Sequence, residues 1–235
     1  EQYGIGENGF DVCSIQFAIH YMFSTAESCQ NFIRNVSETT KLGGYFIGTC
    51  YDGDSVFRML RSTATGDSVA IMDGEKKLWE VVKRYDREDF PSNAASLGYA
   101  IDVFQESINK TAREYLVNFE YLTRLLENYG LVLLDREEAN ALGLPASTGL
   151  FGELFGKMNS ESTKNHKSNR EYGAASNMSE YEKRISFLNR YFIFKKVRNV
   201  AADKVSTSML QQTVNEVANA EDIMESSMET MKSIL

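Results

Sequence analysis

The chain has 235 residues, of which 43% are hydrophobic and 25% charged, with 16 Gly and 2 Pro. This composition excludes collagen-like, disulfide-scaffold and polar disordered chains and leaves room for one to two globular domains. With 25 Lys plus Arg against 33 Asp plus Glu, the net charge is −8, so general attraction to a phosphate backbone is excluded and any nucleic-acid contact must be local.

Residues 10–17, FDVCSIQF, form a short apolar run that predicts a buried strand. Ser24, with Glu27 three residues on and Cys29, Phe32, Ile33 and Val36 at helical spacing, predicts an N-cap and a helix. Leu42-Gly43-Gly44 ends that helix, and Tyr45–Thr49 predicts a second buried strand. A helix between two apolar strands is the pattern of a parallel βαβ unit. Asp54 is placed to cap a helix reaching about Arg61. Ser68–Met72, Lys77–Val82 and Gly98–Val103 are mixed-polarity strands suited to an antiparallel or edge arrangement.

Residues 112–128 predict an amphipathic helix, with Tyr115, Leu116, Phe119, Leu122, Leu125 and Leu126 on one face and Gly130 at its end. Leu131–Leu134 then reads as a strand. Asn, Ser, Lys and Gly dominate 156–179, which predicts a long mobile surface loop. A helix at Ser179–Leu188 and a strand at Arg190–Phe194 follow. Residues 201–235 lack Gly and Pro and predict an amphipathic helix with net charge −4. Its stripe of Leu210, Val214, Val217, Ala220, Met224, Met228, Met231 and Leu235 suits packing on this chain or on a partner.

Gly4-Ile5-Gly6-Glu7-Asn8-Gly9 matches G-x-G-x-x-G. The dinucleotide-binding mechanism needs a strand before those glycines and a helix after them, so that phosphate meets free N–H groups. Here the glycines lead into a strand, which favours a plain turn. Cys13, Cys29 and Cys50 lack C-x-x-C spacing and have only His20 and His166 to join them, so no metal site is expected and a reducing compartment fits best. No apolar run is long enough to span a membrane.

The stretch Phe10–Thr49 resembles the mRNA cap guanine-N7 methyltransferases, through Gln16-Phe17-Ala18-Ile19-His20-Tyr21 after a strand and GGYFIGT closing the next. Arg113–Phe119 with Glu127-Asn128-Tyr129-Gly130 is a second match, and the strand around Tyr191 a weaker third. Asp52-Gly53-Asp54 looks closest to the capping enzymes of large DNA viruses. The resemblance covers about residues 10–197 and implies an α/β class I S-adenosylmethionine-dependent methyltransferase fold, a Rossmann-like sheet with flanking helices. The family's cofactor loop after the first strand has no counterpart here. Residues 1–200 are therefore expected to be the C-terminal part of such a domain, or else a domain that has lost cofactor binding, with 201–235 as an appended helix.

By this resemblance the activity is methyl transfer from S-adenosylmethionine to N7 of the 5′ cap guanine of mRNA. The alternatives are a capped-RNA-binding module of the same fold and, less in keeping with the motifs, a small-molecule methyltransferase. Gln16 and Tyr21 are the implied cofactor contacts. His20, Glu114 and Tyr191 are the implied cap-guanine contacts, although the last block can also be aligned with Asn189 in place of Tyr191. A carboxylate at Glu114 can accept from guanine N1–H and N2–H₂, a pairing adenine cannot offer. Guanine N7 already has a lone pair and the sulfonium is an activated donor, so positioning can suffice and no acid, base or nucleophile is assigned.

Many members of the family have Pro after the Gly-Thr pair where Cys50-Tyr51 stands here, so no contact is carried over to Tyr51. From residue types alone, Gln16, Tyr21 and His20 read as structural before they read as ligand contacts, Glu114 as a dipole partner near a helix start, and Lys157, Lys164, Lys167 and Arg170 as a solvated linker before phosphate contacts. The implied partner is the capped mRNA 5′ end, with guanylyltransferase and triphosphatase domains of one capping enzyme as candidate neighbours. The implied setting is intracellular: host cytoplasm or virion for a viral protein, nucleus for a cellular one.

Overall fold

The structure, a computed structural model, describes residues 6–164 and 173–215. Gly6 and Gly9 close a turn (Gly9 N–H to Gly6 O, 2.9 Å) that feeds directly into strand β1, Phe10–Gln16. No helix follows the glycines, as the reading of that motif as a turn requires. A 3₁₀ turn, Ile19–Ser24, leads to α1, Ala26–Thr39. Its cap is Thr25, whose side chain accepts from Ser28 N–H, one residue later than the expected Ser24. Strand β2, Thr40–Tyr51, pairs in parallel with β1, so the βαβ unit is present.

Three expectations for this half are corrected. Glycines 43 and 44 lie inside β2, and the helix has already ended at Thr39. β1 is not buried: among the described residues it has one strand neighbour, and Phe10 and Val12 are exposed. Asp52, and not Asp54, caps helix α2, Gly53–Met59, by accepting from Ser55 N–H, while its other oxygen takes the Arg190 guanidinium at 2.7 Å.

Strands β3 (Ser68–Asp73), β4 (Lys76–Lys83), β5 (Ala100–Gln105) and β6 (Lys110–Tyr115) form a separate antiparallel meander. Strand β6 occupies what the apolar spacing assigned to a helix from residue 112. Helix α3 begins at Phe119, after Asn118, whose Oδ1 accepts from Tyr121 N–H while its Nδ2 donates to Phe90 O and Pro91 O. Glu114 therefore sits on a strand, and a helix-dipole role for it does not apply.

Strand β7 (Leu131–Leu133), helix α4 (Arg136–Ala141), strand β8 (Thr148–Leu150) and helix α5 (Phe151–Lys164) follow. The predicted loop at 156–179 is thus helical as far as Lys164, and its Lys167 and Arg170 lie outside the described residues. Ser179 caps α6, Glu180–Ser186, through a reciprocal pair with Glu182. Strand β9, Asn189–Lys196, runs antiparallel to β2, and β7 and β8 pair along its far edge, giving the order β1-β2-β9-β7/β8.

Residues 202–215 form a last helix, α7. It packs on its own domain: Ala202 is buried in the core and Val205 and Met209 lie against it, while Val214 is exposed. The packing face therefore lies one step round from the predicted Leu210–Val214 stripe. Residues 216–235 lie outside the described residues.

Two apolar cores result. One joins α1 and α3 to the first sheet through Ile33, Phe46, Leu122, Leu125, Phe192 and Phe194. The other lies under the meander, where Trp79, Val81, Ile101 and Val103 meet Val56 of α2 and its C-cap Leu60. The C-terminal ends of β1 and β2 and the N-terminal end of β9 therefore face the meander.

Candidate functional site

Between the two sheets lies a cavity of about 830 Å³, within the size range of small-molecule sites. Its walls come from several elements: Phe17, His20 and Tyr21 after β1, Tyr51 at the end of β2, Trp79 on β4, Gln105 at the end of β5, Glu114 on β6, Tyr181 and Ile185 on α6, and Asn189 starting β9. Phe17 turns the chain out of β1 with a left-handed φ of 51°, rare for a bulky residue. The turn is held because Phe17 N–H donates to Thr49 O at 2.9 Å. That conformation brings Ile19 into the core and His20 onto the cavity wall.

His20 and Glu114 are 4% and 7% exposed, and His20 Nε2 stands 3.6 Å from Glu114 Oε2, too far for a good hydrogen bond. Both ring nitrogens and that carboxylate oxygen are buried with no protein partner. Burial lowers His20 from 6.5 to about 4 and raises Glu114 from 4.5 to about 7. Each group is thus pushed towards its neutral form, the opposite of what a strong ion pair would do. Two adjacent buried polar groups left unmatched mark a ligand site better than a structural pair.

Of the five residues singled out by resemblance, His20, Tyr21 and Glu114 meet at this cavity. The Tyr21 ring packs edge-on against His20, with centroids 4.2 Å apart. Gln16 lies outside the lining: its amide is tied to Thr49 Oγ1 at 2.8 Å and Ser14 Oγ at 2.9 Å, at the exposed C-terminal end of β1. Tyr191 is not brought to the cavity either. Its hydroxyl donates to Ala146 O at 2.9 Å under β8, whereas Asn189, two residues earlier on the same strand, lines the cavity.

Tyr51, Trp79 and Gln105 were not assigned to the site from sequence. The available signals were a tyrosine where the family often has proline, and the lone tryptophan of the chain. Asp73, Glu106 and Glu182 also line the cavity, and among the described residues no lysine or arginine does. It is therefore suited to a neutral or cationic planar group, and phosphates belong outside it. Exposed aromatic faces at Phe17 and Tyr21, beside Gln16, would suit a sulfonium on that side. Among the described residues no cluster of His, Cys, Asp or Glu could hold a metal ion, and no helix is long and apolar enough to cross a membrane.

The chain aligns over 234 residues, 92% of its length, with a probable mRNA-capping enzyme of Acanthamoeba polyphaga mimivirus at 30% identity, covering 19% of that protein. It is 33% identical over 125 residues to the mRNA cap guanine-N(7) methyltransferase of Caenorhabditis briggsae, covering 53% of this chain and 31% of that one. The chain thus spans under a third of the length of these relatives. Among solved structures, the CcbJ methyltransferase of Streptomyces caelestis superimposes with a TM-score of 0.42 at 12% identity, over 82% of this chain and 59% of that one. The match that decides family is to the mRNA (guanine-N(7))-methyltransferase domain, which covers residues 2–197. This chain belongs to that domain family.

Proposed function

We propose that the chain supplies the cap-reading part of an mRNA cap guanine-N7 methyltransferase, acting on the 5′ end of capped mRNA within a larger intracellular capping enzyme. The observation that carries this reading is the juxtaposition of His20 and Glu114, buried and unpartnered on one cavity wall. Glu114, ionised, accepts from guanine N1–H and N2–H₂, and neutral His20 donates a ring N–H to O6. Asn189, and not Tyr191, flanks the base from β9.

Tyr21 on the β1 side of the cavity, with Gln16 just outside the lining at the end of that strand, would hold S-adenosylmethionine, which supplies an activated methyl group when bound. The chain's own task is alignment: fixing the base so that N7 faces that side, with no general base needed. Methylation leaves a positive charge on the guanine ring, which the carboxylates around the cavity complement. In the full-length protein, Glu114→Ala is expected to weaken binding of a capped oligonucleotide while leaving S-adenosylmethionine binding nearly intact. Equal loss of both ligands would assign Glu114 a folding role and reject the reading.

A further inference from the structure

Tyr51 closes the same cavity from the end of β2. Its side chain is 9% exposed, and its hydroxyl oxygen accepts from Trp79 Nε1 at 2.9 Å and from Gln105 Nε2 at 3.3 Å. An indole nitrogen can only donate, so the phenol oxygen must act as acceptor towards Trp79. With Gln105 also donating, both lone pairs of the phenol oxygen are occupied. Its own proton is then the one hydrogen-bonding function left, and Tyr51, Trp79 and Gln105 all line the cavity.

Burial raises the phenol above its ordinary range, and the nearby Glu114 charge adds to that rise. The hydroxyl is therefore protonated across the neutral range and close to the carboxylate that reads the base. On guanine, the atom next to N1–H on that edge is O6, a carbonyl oxygen with two lone pairs. His20 can satisfy one of them, which leaves the other for a second donor.

We propose that Tyr51 is a specificity-determining residue of this cavity, donating its phenol proton to O6 of the guanine that Glu114 holds through N1–H and N2–H₂. The assignment rests on the cap-guanine reading above and goes beyond it. The proline that many members of the family carry at this place has no donor to offer, so the contact would be particular to chains with a tyrosine here. Adenine presents an amino group at the same position, so donor would face donor and the wrong base would leave buried polar groups unpaired.

The test is a binding cycle in the full-length protein, pairing Tyr51→Phe with two cap dinucleotides, one carrying guanosine and one carrying 6-thioguanosine, whose thiocarbonyl is a weak acceptor but whose N1–H and N2–H₂ remain. Tyr51→Phe is expected to weaken the guanosine cap about five- to tenfold and the thio analogue by no more than about twofold. The double variant Tyr51→Phe/Trp79→Phe, which leaves no orphaned indole N–H, should show the same split. Equal losses on both caps would show that the phenol acts through packing and overturn the proposal. So would a loss confined to Gln105→Met, which would give the cavity-facing donor to the amide. Failure of the unsubstituted protein to bind either cap would reject the cap reading itself.

Discussion

Glu114→Gln separates the cost of the site from its use. The carboxyl is held near 7 instead of 4.5 because the cavity wall strips it of water without giving Oε2 a partner. A raised folded-state value means that the native state binds the proton more tightly than the unfolded chain. That stabilisation is fully present below pH 4.5 and lost as pH rises through about 7. A rise of this size corresponds to roughly 3 kcal/mol of stability lost by pH 8. Glutamine keeps the shape and never ionises, so urea unfolding should find Glu114→Gln about 3 kcal/mol more stable than the parent at pH 8 and nearly equal to it at pH 4. Binding should move the other way: the variant loses the guanosine cap, while the parent's affinity climbs about tenfold per pH unit up to about pH 7 and then levels. If Glu114→Gln were no more stable at pH 8, or its gain were the same at both pH values, the carboxylate would not be desolvated as described and the reasoning would fail.

His20 has the opposite sign. Its value is lowered from 6.5 to about 4, so stability is intact above pH 6.5 and falls by roughly 3 kcal/mol as pH drops through 4; His20→Gln should remove that share of the acid loss in urea titrations at pH 7 and pH 4. Gly48→Ala in β2 would place a Cβ 2.3 Å from the Phe192 ring and 2.5 Å from Ile15 O. Since a carbonyl on a paired strand cannot step aside, a loss of about 2–3 kcal/mol is expected, read as a lowered thermal midpoint, and an unchanged midpoint would show that the two strands separate easily.

The first half of the fold was legible because its signals are local: apolar spacing and a capping residue mark α1, and short apolar runs mark β1 and β2. What failed depended on neighbours distant in sequence. FDVCSIQF has the composition of a buried strand, yet among the described residues one strand pairs with it, and Phe10 and Val12 are exposed. Tyr115 and Leu116 continue the 3–4 spacing of α3 by coincidence, because a strand end and a helix start both turn apolar residues inward. Asn118, an N-cap three residues before Tyr121, carried the missed boundary. At the site, the resemblance pointed to His20 and Glu114, but nothing in residue order says that positions 20, 51, 79, 105, 114 and 189 share one wall. That follows from the register of the meander, which sets Glu114 opposite Ile101 and Trp79 opposite Gln105.

The contrast between buried polar groups suits this cavity to a ligand. Lys196 is as buried as Glu114, but its ammonium donates to Ser37 O at 2.6 Å and Thr40 O at 2.8 Å. Asp52 is more buried still, and both its oxygens are occupied, one by the α2 cap and one by Arg190. Those groups lock β9 to α1 and to α2 and have nothing left to offer. His20 and Glu114 also line the cavity, but their buried polar atoms have no hydrogen-bond partner and stand 3.6 Å apart. A planar base with donors on one edge and a carbonyl beside them would satisfy both groups and give the Tyr51 proton an acceptor. Binding would then return the stability that desolvation removes from the empty site, so the tightest fit should go to a ligand matching all three groups at once.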